Sequence, residues 1–222
     1  ILKFLMIPLS NYSIKTFCGG YDQNYTYLIT CNHTGAQILI DASIDIKNIK
    51  PYIYSKITAV LITHSHHDHT QYIDQYLSHY PGLIIYGYKN SKEMFNKEIR
   101  PLKDNLDFKI GRLAIKSIYT PGHYFDSICY QIDPILFTGD TMFVGRTGRV
   151  LSKKSNIKDL YNSVYHKILK MPLKTRIFPG HNYGKHPTIT LEKNIKISPL
   201  LQAENFDDFV DRMKKFELSR KL

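Results

Sequence analysis

The chain has 222 residues, 43% of them hydrophobic, and a formal net charge of +11 at pH 7. That length and apolar share fit one domain with a full core, and no run approaches the ~18 apolar residues that a membrane span needs. The excess lysine is spread thinly, through Lys153-Lys154, the helix that follows and the tail. It reads as a solvated basic surface, able to attract an anionic small substrate, rather than as a nucleic-acid footprint. Cys18, Cys31 and Cys129 are odd in number and off metal-ligand spacing, which points to reduced thiols in a cytoplasmic protein.

Ile1 to Leu9 is apolar but interrupted by Lys3 and Pro8, and no small-residue cleavage site follows. It reads as a first strand, not as a signal peptide. Tyr25 to Ile29 and Ala36 to Ile40 are strand-like, joined through Asn32 to Gly35. Lys47 to Ser55 fits a short helix with Pro51 in its first turn. Ile57 to Ile62 is a buried strand, and Tyr72, Ile73, Tyr76 and Leu77 then recur at helical spacing. Leu83 to Tyr86 is a strand, and Asn90 to Arg100 is polar and poorly patterned. Phe108 to Tyr119 reads as a hairpin bending at Lys109 to Arg112, and Ile128 to Phe137 as another, broken at Asp133-Pro134. Met142 to Ser155 is a loop. Ser155 caps a helix whose stripe is Ile157, Leu160, Tyr161, Val164, Ile168 and Leu169, and Pro172 ends it. Arg176 to Phe178 is the last core strand. Phe206, Phe209, Val210, Met213 and Phe216 repeat at helical spacing, so the 200–222 tail is a helix packed on the core or, in a homodimer, on a partner chain. The chain reads as one unit over 1–222.

Between the Ile57–Ile62 strand and its helix lies Thr63-His64-Ser65-His66-His67-Asp68-His69, four imidazoles and one carboxylate in six residues. In an extended segment, side chains two apart point the same way. His64 and His66 therefore grip one ion together, while His67 points away and Asp68 and His69 aim toward a second. Imidazole suits zinc, iron and copper, and carboxylate suits harder ions. Three further donors follow short apolar runs, in Thr120-Pro121-Gly122-His123, Phe137-Thr138-Gly139-Asp140 and Phe178-Pro179-Gly180-His181. His33, His79, His166 and His186 stand outside any such pattern and read as surface residues.

These motifs resemble the metallo-β-lactamase superfamily, over roughly residues 7 to 201. The resemblance implies an α/β fold, a four-layer αβ/βα sandwich with a short C-terminal helical tail. It also implies that His64, His66 and His123 hold one metal, that Asp68, His69 and His181 hold a second, and that Asp140 bridges them. The cofactors would be two divalent ions, zinc with iron or manganese as alternatives, and Asp68 and Asp140 would be the catalytic carboxylates. Asp140 sets the chain apart from the antibiotic-hydrolysing branch. FTGDTMFVGRTGR (Phe137 to Arg149) and FPGHNYG (Phe178 to Gly184) are similar to glyoxalase II-like thioesterases and to persulfide dioxygenases. Both act on glutathione conjugates, with a basic residue near Arg149 and a tyrosine near Tyr183 against the carrier. The first reading is a hydrolase using a metal-bound hydroxide on a glutathione thioester. The alternative is a dioxygenase with a single Fe(II) on His64, His123 and Asp140. Val150-Leu151-Ser152, Tyr124, Asp126 and the short segment after His181 depart from the thioesterase pattern.

Overall fold

The computed structural model describes residues 5–8, 11–54, 56–93 and 98–219. One sheet has seven strands in spatial order β1 (Leu5–Pro8), β2 (Tyr12–Gly19), β3 (Asn24–Cys31), β4 (Gln37–Ile40), β5 (Ile57–Leu61), β6 (Ile84–Tyr88) and β7 (Arg100–Leu102). β1 to β4 form an antiparallel meander, and β4 to β7 run parallel. Parallel neighbours need crossovers. These are α1 (Ile46–Ile49) between β4 and β5, and α2 (His67–Thr70) and α3 (Ile73–His79) between β5 and β6.

The chain then lays down β8 (Leu106–Ile110), β9 (Leu113–Tyr119), β10 (Ile128–Ile132) and β11 (Ile135–Gly139) as antiparallel neighbours. A small ribbon, β12 (Met142–Phe143) with β13 (Arg146–Thr147), and α4 (Ile157–His166) lead to β14 (Arg176–Pro179), which pairs parallel to β11. β15 (Ile189–Thr190) adds the antiparallel edge. α5 (Leu191–Ile197) and α6 (Phe206–Ser219) complete the described chain.

Alternation along single strands builds four layers. Tyr27 and Ile29 of β3 and Ile38 and Ile40 of β4 face the second sheet, and Leu28 and Leu39 face the helices α1 and α3. In the second sheet Ile135 and Phe137 of β11 face inward, while Leu136 turns outward to Leu160, Val164 and Phe209. Strands buried on both faces read as continuous apolar runs, as expected for a sheet covered on each side. Tyrosines stitch the sheets, because a buried hydroxyl needs a partner. Tyr27 donates to the Pro179 carbonyl at 2.5 Å, Tyr12 to that of Ile132 at 2.7 Å and Tyr130 to that of Ile62 at 2.7 Å.

Several local expectations shift. The expected 47–55 helix is the single turn of α1, capped by Asp45, followed by a 3₁₀ turn over Lys50–Tyr52 that takes Pro51 near its start. Ser155 does not cap α4. Asn156 does, accepting from the backbone of Lys158 and Asp159, while the Ser155 hydroxyl donates to the His123 carbonyl. Arg176–Phe178 is not the last strand, since β15 pairs beyond it, and 142–155 holds the β12–β13 ribbon. The helix after β5 breaks into α2 and α3. Of the polar 90–100 stretch, 94–97 lie outside the described residues, as do 1–4, 9 and 10 of the amino-terminal stretch. The aromatic stripe of α6 packs on α4, with Phe209 5.5 Å from Tyr161 between ring centroids. Among the described residues no helix is long and apolar enough to cross a membrane.

The Tyr27, Phe137 and Phe178 rings meet at centroid distances of 5.1–5.4 Å at the centre of the inter-sheet core. Phe137→Ala leaves a cavity there and should cost about 3–5 kcal/mol. The check is urea unfolding: the midpoint should fall at unchanged slope.

Candidate metal centre

β5, β9, β11 and β14 all end on one rim of the sandwich, where ligands of open α/β sheets gather. The segments just past those ends carry His64 to His69, His123, Asp140 and His181. Gly122 and Gly180 make two of these turns possible. Gly122 has φ +136°, and a Cβ on it would lie 2.2 Å from the Leu160 nitrogen. A Cβ on Gly180 would lie 2.3 Å from Asp140 Oδ1 and 2.8 Å from His69 Cε1.

The seven donors fall into two clusters. His64 Nε2 and His123 Nε2 lie 2.8 and 3.2 Å from His66 Nδ1. His69 Nε2 lies 3.1 Å from His181 Nε2, and Asp68 Oδ2 is 3.5 Å from the first and 3.3 Å from the second. The Asp140 carboxylate stands between the clusters. Its Oδ2 is 3.5 Å from His123 Nε2 and 3.3 Å from His181 Nε2, and its Oδ1 is 3.3 Å from His69 Nε2. The sets His64–His66–His123, His64–His69–Asp140 and Asp68–His69–His181 each keep their donor atoms within 4.8 Å of one another.

The outer hydrogen bonds fix which nitrogen faces in. Thr63 Oγ1 gives its proton to Asp41 at 2.8 Å, so at 3.2 Å from His64 Nδ1 it accepts. His123 Nδ1 donates to the Arg149 carbonyl at 2.9 Å and His181 Nδ1 to the Asp22 carbonyl at 2.8 Å. His69 Nδ1 donates to Asp41 at 2.8 Å. Four Nε2 lone pairs are thereby aimed at the centre, which is how imidazole is presented to a metal. Asn24, fully buried, donates to Asp68 Oδ2 at 2.7 Å and orients that carboxylate.

The field at the centre is sorted. Burial pulls His64 well below the ordinary imidazole value, and it holds His66 at about 4 and His123 also low. The neutral form, the one that binds metal, is favoured there. Burial also opposes charge on His69 and His181. Asp140, with Asp41 beside His69 and Asp68 beside His181, overrides it, raising His69 well above the usual range and His181 to about 9. Burial likewise opposes charge on Asp140, yet His181 and His69 hold it well below the ordinary carboxylate range.

The residues fit a metal. Five ring nitrogens converge with neighbours 2.8–3.2 Å apart, an arrangement in which one cation can take the place of several protons, and Asp140 Oδ1 is sealed from solvent without a hydrogen bond. Three imidazoles in one cluster, with two imidazoles and a carboxylate in the other, match the N/O donors of zinc or iron.

The centre opens into a cleft of about 790 Å³ that Arg149 and Tyr183 both line. Tyr183 stacks on His181 with planes 3° apart, and its hydroxyl donates to the Asp22 carboxylate. Arg146 was not singled out in the sequence, although its guanidinium lies 4.1 Å over the Tyr183 ring in the same cleft. Its only signal is its place three residues before Arg149. His67 is exposed at the cleft mouth, and His33, His79, His166 and His186 are exposed elsewhere. The two departures near His123 support the ligand loop. The Tyr124 ring lies 4.1 Å from that of His66, and buried Asp126 accepts from the Ser65 amide at 3.3 Å.

The profile of the Metallo-beta-lactamase superfamily matches residues 19–181. The chain is 30% identical over 208 residues to the probable polyketide biosynthesis zinc-dependent hydrolase BaeB of Bacillus velezensis, covering 90% of this chain and 91% of that one. It is 32% identical over 177 residues to the probable hydroxyacylglutathione hydrolase glo2 of Schizosaccharomyces pombe, covering 75% of this chain but 66% of that one. ETHE1 from Myxococcus xanthus shares the fold, with TM-score 0.78 at 24% identity, over 96% of this chain and 91% of that one.

Asp41 gives the centre its rigidity. It accepts from the Thr63 amide at 2.7 Å as well as from Thr63 Oγ1 and His69, and it holds φ at +59° to do so. Asp41→Ala should lower zinc affinity about 10–100-fold, the usual effect of losing an orienting carboxylate, measured by competition with a chromophoric chelator. Unchanged affinity would show that the ring is held by packing alone.

Proposed function

The chain belongs to the metallo-beta-lactamase superfamily, and from that premise we propose that it is a metal-dependent hydrolase cleaving a thioester of a small thiol carrier of the glutathione type. The observation that carries the reading is the Asp140 carboxylate set between two complete donor clusters. His64, His66, His123 and Asp140 would hold one divalent ion, and Asp68, His69, His181 and Asp140 the other. Ions held there lower the pKa of bound water to roughly 7 and polarise a carbonyl.

The chain's own residues do the rest. Asp68 and Asp140 face the cleft as ionised carboxylates, held so by the imidazoles around them. They accept hydrogen bonds from the attacking water and fix its direction. A thioester needs no strong acid for departure, because a thiolate is a good leaving group with an ordinary pKa near 8.5. Arg146 and Arg149 attract the carboxylates of the carrier from the cleft wall, and Phe143 gives its apolar stem a surface. The buried histidines behind them keep bulk water from the centre.

A second reading has one observation in its favour. His123 and Asp140 approach to 3.5 Å beside His64, a two-histidine, one-carboxylate face of the sort that holds a single iron for oxygen chemistry. On that reading the substrate is glutathione persulfide.

Zinc-loaded protein should cleave an acyl-glutathione thioester without oxygen and carry close to two metals per chain. His64→Ala and Asp140→Ala should each lower kcat/KM more than about 100-fold, beyond the range of an orienting residue, with the far-ultraviolet circular dichroism near normal. Arg149→Ala should raise KM about fivefold at little cost in kcat, as fits an exposed charge remote from the reacting carbonyl. One iron per chain, with oxygen consumed on adding glutathione persulfide and no thioester cleaved, overturns the hydrolase.

A further inference from the structure

Beyond the metal cleft, on the far side of Tyr183, lies a second groove of about 950 Å³. Tyr183 lines both cavities, so the two adjoin at its ring. The segment that follows Phe143, Val144 and Gly145, continues from the wall of the first into that of the second. Among the described residues the lining of this groove carries Arg176, Lys185, Lys193 and Lys196 and no carboxylate. Ile197, 55% exposed, adds an apolar wall.

The charge is not merely that of a basic protein. Another surface groove, of about 600 Å³, sets Lys109, Arg112 and Lys116 against Asp107 and Asp133 and is nearly balanced. In the groove beside Tyr183, Lys196 is engaged from outside by Glu192 at 2.6 Å, whereas Arg176, Lys185 and Lys193 make no ion pair among the described residues. A concave wall of unpaired cations concentrates anions, and phosphate binds such clusters more strongly than a single carboxylate does.

We propose that this groove is a subsite for the phosphate-bearing end of a thiol carrier, so that the enzyme takes thioesters of phosphorylated pantetheine-type thiols with the acyl end at the metals and the phosphate beside Lys185 and Lys193. The catalytic half of the statement rests on the thioesterase reading; the binding half does not. A carrier of this kind is longer than glutathione. Its thiol arm passes Tyr183, which lines both cavities, and its phosphate meets the lysines.

The test compares acetyl-coenzyme A with acetyl-pantetheine, which share the thioester and the pantetheine arm and differ in the phosphorylated nucleotide, on the zinc-loaded full chain. The expected result is a kcat/KM about tenfold higher for acetyl-coenzyme A, falling toward parity as salt rises. Lys185→Ala/Lys193→Ala should remove that advantage and leave acetyl-pantetheine and acetyl-glutathione kinetics unchanged. Equal rates for the two substrates, or an advantage that survives the double substitution, overturns the subsite. If no thioester is cleaved, the hydrolase reading has failed, and titration calorimetry with desulfo-coenzyme A decides the groove alone. Binding that weakens at least fivefold in the double variant supports it, and absent or unchanged binding overturns it.

Discussion

One buried carboxylate governs the rim of this protein. Asp140 sits among five imidazoles that the fold brings within reach of one another, and both of its oxygens face ring nitrogens at 3.3–3.5 Å. Without its negative charge, burial would pull down the proton affinity of His69 and His181, as it does at His64. Left without the imidazoles, the carboxylate would be driven toward its neutral form by burial. Each group is tolerable only because of the others. The surrounding features follow from keeping this arrangement in register: the glycines that admit close approach, the Asp41 bracket and the carbonyls of Asp22 and Arg149 that fix ring tautomers.

That register is supplied by both halves of the sandwich. Asp41 and the 64–69 segment belong to the first sheet, and His123, Asp140 and His181 to the second. Tyr27 reaches from one sheet to the Pro179 carbonyl of the other, two residues before His181. The aromatic centre of the inter-sheet core is therefore also the footing of the metal rim, and loosening it moves donors relative to one another.

The donors themselves were legible because their chemistry is local. Four imidazoles crowded after an apolar strand, and three Pro-Gly or Thr-Gly turns each followed by a ligand type, carry their meaning in the primary structure. The layers were legible for a similar reason, since continuous apolar strands demand cover on both faces. What escaped was decided by partners far away in sequence. Asn156 rather than Ser155 caps α4, because the Ser155 hydroxyl is taken by the carbonyl of His123. Arg146 has no distinguishing neighbour in sequence and becomes visible only once Tyr183 is folded beneath it. Tyr124 and Asp126 looked like departures from a pattern until the ring of His66 and the amide of Ser65 were found against them.

The crowding of donors in 64–69 has a consequence for how this protein is made. His69 meets His181 across 112 positions of chain, so the second cluster exists only after both sheets have docked, and contacts of such long range form late. His64, His66, His67, Asp68 and His69 are already neighbours in the newborn chain. An unfolded polypeptide with that segment is itself a chelating peptide. Metal that binds it stabilises the unstructured chain along with the native one, so the ion lends the fold less stability than its affinity for the finished centre would imply. The order in which ion and sheets arrive then decides whether the metal assists assembly or holds a fragment of the site together before its other half is in place.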